Sequence, residues 1–164
     1  DLPFKVKDSK KISKSQREKI YEFFKNNKNI NFLYKIVFGK KKDIENSNIH
    51  NVVLDSMSKA VRSIANNHDK VIIDGNFVPK DLVDYNVTSM VKADDKIEQV
   101  SAASIIAKVF RDKLMIKLSE KFSNYGWDSN FGYGTKTHLK GLKKFGITIH
   151  HRKSFKPVHN ILSG

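Results

Sequence analysis

Residues Val71-Ile72-Ile73-Asp74-Gly75-Asn76 predict a buried strand, because a short continuous apolar run is typical of a strand in a parallel sheet. The run ends at Asp74-Gly75-Asn76, which is a turn signal. A second strand is predicted over residues 87–91, where apolar and polar side chains alternate, and it ends at Lys92-Ala93-Asp94. A third β-rich run, Phe32–Phe38, predicts another strand.

Predicted helices surround these strands. Four segments have the spacing or the end signals of helices, at residues 13–27, 48–67, 98–122 and 135–145. The first begins at a capping box formed by Ser13 and Gln16 or by Ser15 and Glu18, and the last ends at Gly146. Helices that alternate with strands indicate an α/β layered fold, which we expect to be one domain over residues 1–164.

The chain carries a large excess of positive charge. Thirty-one Lys and Arg residues against 17 Asp and Glu residues give a net charge of +14 at pH 7. This excess favours nucleic acid as a partner, because cations displace the counterions condensed on phosphates; the alternative is a solvated basic surface. The lack of cysteine excludes disulfides and zinc–thiolate sites. No apolar run approaches the ~20 residues of a membrane span, and we expect a cytoplasmic protein.

Asp74 and Asp94 are the acidic residues best placed for chemistry. Sites in open α/β sheets form outside the carboxyl ends of strands, so both carboxylates face one cleft if their strands are neighbours. The two carboxylates would repel each other without a cation or proton, and Mg²⁺ or Mn²⁺ suits hard oxygen ligands. Alternatively, Asp74 serves the turn and Asp94 is exposed in a loop or at a helix N-terminus. Asp112, beside Arg111, adds a metal-binding carboxylate or forms a surface ion pair.

Five segments, taken in order, carry the resemblance to a known family. They are Asp8-Ser9-Lys10-Lys11-Ile12-Ser13, Ile73-Asp74-Gly75-Asn76, the run from Lys92 to Asp112 that contains Ser101-Ala102-Ala103-Ser104-Ile105-Ile106-Ala107-Lys108, Gly132-Tyr133-Gly134-Thr135 with His138-Leu139, and Thr148 with His151-Arg152 and Ser154-Phe155. Each segment is weak evidence by itself. Together, in this order, they resemble the ribonuclease HII family of metal-dependent nucleases, which cut RNA within RNA–DNA duplexes.

The resemblance implies a fold and a metal centre. The fold would be a ribonuclease H-like mixed sheet flanked by helices, and four acids would hold two divalent ions, Mg²⁺ or Mn²⁺. Asp74 and Asp94 match the third and fourth of these catalytic acids. The first two form an Asp-Glu pair in a block with a Gly-Arg-Gly motif on the family's first strand. Nothing before Asp8 resembles that block, so we expect this sequence to lack the strand and its two acids.

The resemblance also implies a substrate and residues that contact it. The substrate would be the RNA strand of RNA–DNA hybrids, including single ribonucleotides in duplex DNA, cut by a monomer to leave 5′-phosphate and 3′-hydroxyl ends. Tyr133 matches a tyrosine that stacks on the sugar beside the cut; the alternative is a packed loop ring. The further candidates are Lys10, Asn76 and Lys108 for phosphate or ribose contacts, and His138 and Arg152 for support of the cleft or contacts with the nucleic-acid backbone.

Two other functions fit parts of the sequence. A non-catalytic binder of hybrid or duplex nucleic acid would account for the charge of +14 and the unmatched Asp-Glu pair. A general basic RNA-binding or ribosome-associated module would account for the charge, but it gives no reason for acids at the ends of two strands.

Overall fold

The computed structural model describes residues 12–27 and 32–163 of the chain. The described residues divide into two compact units, of which the first lies within Asp1–Gly39 and His50–Val109 and the second within Lys40–Ile49 and Phe110–Gly164. The single domain expected from the sequence stays a prediction.

The described residues form three helices, then two strands, then four more helices, which confirms the α/β class. In chain order, the described residues form the helices and strands α1 Lys14–Asn26, α2 Lys41–Asn46, α3 Ile49–Ile64, β1 Lys70–Asp74, β2 Asn86–Met90, α4 Glu98–Lys121, α5 Trp127–Asn130, α6 Lys136–Phe145 and α7 Lys156–Leu162. Single turns of 3₁₀ helix lie at Lys80–Leu82, Ala93–Asp95 and Ser123–Tyr125. In this described part, no helix is both long and apolar enough to cross a bilayer.

Strands β1 and β2, both predicted from the sequence, form a parallel pair, which the sequence left open. Lys70 lies opposite Asn86, and Asp74 lies opposite Met90. The ladder continues one residue further, because the Gly75 N–H donates to the Met90 carbonyl at 3.0 Å. The carboxyl ends of the two strands therefore meet at one edge of the sheet. The described residues form this two-stranded sheet, which is smaller than the mixed sheet that the resemblance implies.

The prediction of a strand at Phe32–Phe38 is wrong. Residues 32–40 have no regular secondary structure. Leu33 is 80% exposed and Phe38 is 58% exposed, so these apolar side chains do not pack on a sheet within the described part of the chain. β-propensity reflects packing against neighbouring strands, and an apolar run without such neighbours does not become a strand.

The four predicted helices correspond to α1, α3, α4 and α6, with ends within three residues of the prediction. The capping box of α1 is the one between Ser13 and Gln16: each side chain accepts a hydrogen bond from the other residue's backbone N–H, at 3.2 and 2.9 Å. Gly146 ends α6 with φ of 74°. Helices α2, α5 and α7 were not predicted, because 6, 4 and 7 residues are too few to show a helical period.

An aromatic and aliphatic core holds the second unit together. Its buried members are Met115, Tyr125, Trp127, Leu142 and Val158. Helix α6 packs directly on the backbone of the turn Ser123–Tyr125, and Gly141 is the contact point. A Cβ atom at Gly141 would collide with the Asn124 carbonyl oxygen and lie 3.3 Å from the Tyr125 Cα atom. The absent side chain is thus a packing requirement of this unit.

Two histidines are buried in the same core. His138 is 3% exposed and His151 is 5% exposed. The Trp127 ring lies 5.1 Å from the His151 ring and 6.2 Å from the His138 ring, measured between centroids. Burial, with smaller contributions from His138, His150 and Lys41, lowers the pKa of His151 to about 4. His151 is therefore neutral at pH 7.

We predict that Gly141→Ala destabilises the protein, although alanine normally favours a helix interior over glycine by roughly 1 kcal/mol. The new Cβ atom meets backbone that cannot move aside easily, so we expect a loss of about 1–3 kcal/mol. Urea unfolding measures the change. The neighbouring variant Lys140→Ala, at an exposed position on α6, serves as the control and should stay within about 0.5 kcal/mol of wild type. A gain in stability for Gly141→Ala would contradict this packing.

We also predict that His151 makes the stability depend on pH. Its pKa is about 4 in the folded chain against a reference value of 6.5, so the unfolded chain binds one proton more between these values. The contribution of His151 to the free energy of unfolding is fully present above pH 6.5. It is lost as the pH falls to 4, at up to about 1.4 kcal/mol per pH unit. Unfolding free energies of His151→Gln should fall less steeply than those of wild type over this range. His159→Gln, at an exposed position, should follow wild type, and identical slopes for His151→Gln and wild type would refute the prediction.

Candidate active site

The carboxylate of Asp74 is fixed at the end of β1. Its Oδ1 atom accepts a hydrogen bond from the Ala93 N–H at 3.0 Å. Lys92, just before, has φ of 56°, in the left-handed region that non-glycine side chains rarely adopt. The chain therefore turns sharply after β2, and the turn places a backbone donor on Asp74.

Asp94 follows Ala93 directly and lies in the 3₁₀ turn Ala93–Asp95. It is 5% exposed, whereas its neighbour Asp95 is exposed. The alternative that Asp94 lies in an open loop is thus excluded. Burying a carboxylate is costly unless hydrogen bonds or a cation compensate for the lost water. The structure brings Asp74 and the turn that carries Asp94 together at one edge of the sheet.

The donor chemistry of this edge suits a divalent cation. Carboxylate oxygens are the ligands that Mg²⁺ and Mn²⁺ prefer; Asp74 is the last residue of β1, and Asp94 follows β2 of the same parallel pair. Among residues 12–27 and 32–163, no group of three or more His, Cys, Asp or Glu side chains is arranged to hold a metal ion. The described residues therefore fit part of a metal centre and supply fewer acids than the four that the resemblance implies.

Asp112 lies on α4, in the part of the chain that belongs to the second unit. It is 9% exposed, so it is not the surface residue that a simple ion pair with Arg111 would require. Its role as a metal ligand stays a prediction.

The Tyr133 ring projects from a tightly held loop between α5 and α6, and Tyr133 is 66% exposed. The Tyr133 N–H donates to the Asn130 carbonyl at 2.9 Å, and the Gly132 N–H donates to Asn130 Oδ1 at 2.9 Å. Phe131 has φ of 51°, which is unusual for so bulky a residue. Backbone strain of this kind is often kept at binding sites, and here it accompanies an exposed aromatic ring.

His138 lies beneath this loop, with both ring nitrogens engaged. Nδ1 is 2.9 Å from the Tyr133 carbonyl oxygen, and Nε2 is 3.1 Å from Nε2 of His151. The two roles that the sequence left open for His138, support of the cleft and contact with the nucleic-acid backbone, stay predictions. The His151 partnership was missed, because no local pattern identifies two imidazoles that meet only in the folded chain.

The structure describes three of the four remaining candidates. Asn76, in the turn after β1, and Lys108, on α4, are both exposed. Arg152 is partly buried, and its guanidinium lies 5.8 Å from the centroid of the Phe155 ring. Lys10 lies outside the described residues. The contacts of these four residues with nucleic acid stay predictions.

Comparison with known proteins agrees with the motifs. The family model described as ribonuclease HII matches residues 3–158. The ribonuclease HII of Pelagibacter ubique is 46% identical over 157 residues, which are 96% of this chain and 82% of that protein. Those of Ehrlichia chaffeensis and Neisseria meningitidis are 39% and 37% identical; the matches cover 98% and 99% of this chain and 74% and 81% of the relatives. The chain therefore belongs to the ribonuclease HII family.

Proposed function

We propose that the protein is an endonuclease that hydrolyses the RNA strand of RNA–DNA hybrids, including single ribonucleotides within duplex DNA. Membership of the ribonuclease HII family supports ribonuclease H activity. The observation that carries the proposal is the edge of the sheet where Asp74, at the end of β1, binds the Ala93 N–H beside the buried Asp94. Products with 5′-phosphate and 3′-hydroxyl ends are part of the proposal.

Asp74 and Asp94 would hold the divalent ions, Mg²⁺ or Mn²⁺, two in the complete site. The Ala93 N–H fixes Oδ1 of Asp74, and this orients the carboxylate before any ion binds. Because Asp94 is buried, its carboxylate needs a cation or hydrogen bonds to replace the water that it has lost. When bound, the ions supply Lewis-acid stabilisation of charge on the phosphate and lower the pKa of a bound water. Asp74 and Asp94 would supply carboxylate oxygens to the ions in a fixed orientation.

Tyr133 is the proposed contact with the sugar beside the cut. Its exposed ring extends from a backbone fixed by Asn130, so little backbone freedom is lost when the ring binds. Asn76, Lys108 and Arg152 would contact ribose or phosphate, as would Lys10. The net charge of +14 favours binding to either strand of a duplex.

A second candidate is a nucleic-acid binder without catalysis. The charge of +14 supports it, as does the lack of a group of three or more metal-binding side chains in the described part of the chain. This binder would hold duplexes with a strong dependence on salt and would never cut them. A cytoplasmic location and a monomeric state stay predictions for either candidate.

We predict that Asp94→Asn abolishes cleavage while Asp95→Asn does not. The two variants remove the same charge from adjacent positions, but only Asp94 is buried at the end of the β-pair. The substrate is a DNA duplex with one ribonucleotide, incubated with the full-length gene product in Mg²⁺ or Mn²⁺. We expect Asp94→Asn to lower kcat roughly 100-fold or more, since a carboxylate ligand of the ions is lost.

Duplex affinity, measured in Ca²⁺ by fluorescence anisotropy, should change little for either variant. Wild-type protein that binds the duplex but leaves it uncut in both metals would favour the non-catalytic binder. Equal cleavage rates for wild type and Asp94→Asn would remove Asp94 from the proposed site.

A further inference from the structure

We propose that His138 and His151 form a neutral imidazole pair that holds the backbone of Tyr133, and that His138 is a positioning residue for recognition of the ribonucleotide. The inference deepens the proposed function and rests on the proposed contact between Tyr133 and substrate. The buried pair would act on the exposed Tyr133 ring through the Tyr133 backbone carbonyl.

The hydrogen-bond partner of each Nδ1 atom determines whether that nitrogen carries a proton. The Tyr133 carbonyl oxygen can only accept a hydrogen bond, so the His138 Nδ1 atom 2.9 Å away carries a proton. The Thr148 backbone N–H can only donate, so the His151 Nδ1 atom 2.9 Å away carries none; the Thr148 hydroxyl, 3.0 Å from the same atom, can also donate to it. Each end thus determines one tautomer independently of the other.

The two tautomers match where the rings meet. Neutral His138 with a proton on Nδ1 has an acceptor at Nε2, and neutral His151 without a proton on Nδ1 has a donor at Nε2. These two Nε2 atoms are 3.1 Å apart, so the His151 N–H donates to His138. The result is one continuous chain of hydrogen bonds from the Thr148 N–H to the Tyr133 carbonyl. An added proton would break one link of this chain.

Aromatic rings keep water from the pair. The Tyr125 ring lies 4.9 Å from the His151 ring, and the Trp127 ring contacts both imidazoles. Both histidines are at most 5% exposed. A buried ring nitrogen that loses its partner is not readily satisfied by solvent, so the chain of hydrogen bonds resists displacement.

The receiving end is the loop that presents Tyr133. The Tyr133 carbonyl accepts from the Thr135 N–H at 2.8 Å as well as from His138, and the Tyr133 N–H is bound to the Asn130 carbonyl. The backbone is therefore tied on both sides of a side chain that is 66% exposed. Loss of the His138 link should loosen the ring and weaken the binding of substrate.

The test compares wild type, Tyr133→Ala, His138→Phe and the double variant in the full-length gene product, with a singly ribonucleotide-substituted DNA duplex as substrate. His138→Phe keeps an aromatic ring in the core and removes both hydrogen bonds. We expect it to raise KM roughly tenfold with kcat nearly unchanged, because it affects binding more than the chemical step. The double variant should match Tyr133→Ala, because His138 acts through Tyr133.

A second variant separates positioning from packing. His138→Asn places an amide N–H near the position of Nδ1, where it donates to the Tyr133 carbonyl, but it provides no acceptor in place of Nε2. It should reverse most of the KM increase caused by His138→Phe. If only the volume of the side chain mattered, KM would not return towards the wild-type value, because Asn fills the core less well than Phe.

A measurement on wild type covers the case in which variants fail to fold. Ring ¹⁵N NMR should show the proton of His138 on Nδ1 and that of His151 on Nε2. The opposite tautomer at either ring overturns the inference, as does a His138→Phe variant with the KM of wild type or with an effect that adds fully to that of Tyr133→Ala. If wild type does not cut the duplex at all, the proposed function itself fails. If wild type cuts but Tyr133→Ala equals it, the proposed Tyr133 contact and the positioning role that rests on it are overturned, while the proposed cleavage stands.

Discussion

One hydrogen bond, from the Ala93 N–H to the Asp74 carboxylate, links the two strands of the sheet to the chemistry proposed for it. Parallel pairing of β1 and β2 brings their carboxyl ends to one edge, but it does not by itself orient any side chain. The left-handed Lys92 turns the chain so that the donor at Ala93 meets Asp74 and the next residue, Asp94, is buried. Without this bond the two acids would follow neighbouring strands and share no fixed geometry.

The second unit uses the same physical device for a different purpose. In both places, a buried or half-buried polar contact fixes backbone next to a residue with a proposed function. In the first unit a carboxylate accepts from the backbone beside Asp94, and in the second an imidazole donates to the backbone of Tyr133. Such contacts cost free energy to break where water is partly excluded, and they hold the backbone of a proposed metal site and of a proposed recognition loop in place before any ligand arrives.

Local patterns predicted the parts of the structure that local forces determine. The apolar run at Val71-Ile72-Ile73 and the capping box of Ser13 and Gln16 contain their own signals, and both features are found in the structure. The strand at Phe32–Phe38 failed because strand formation needs a neighbour that no local pattern specifies. The pairing of His138 with His151 also escaped prediction, since burial by Tyr125 and Trp127 and the choice of tautomer arise only after folding. Tyr133 was identified through its resemblance to a family motif, because a lone tyrosine between glycines carries no chemical signal of its own.

The central claim is that Asp74 and Asp94 share a divalent cation at the edge of the sheet. Anomalous diffraction from crystals of the full-length protein soaked in Mn²⁺ tests it most directly, because the manganese signal locates the ion independently of any assumed ligand. We expect a manganese peak that is directly coordinated by a carboxylate oxygen of each of the two aspartates. A manganese ion that binds elsewhere, or that is ligated by only one of the two, would contradict it.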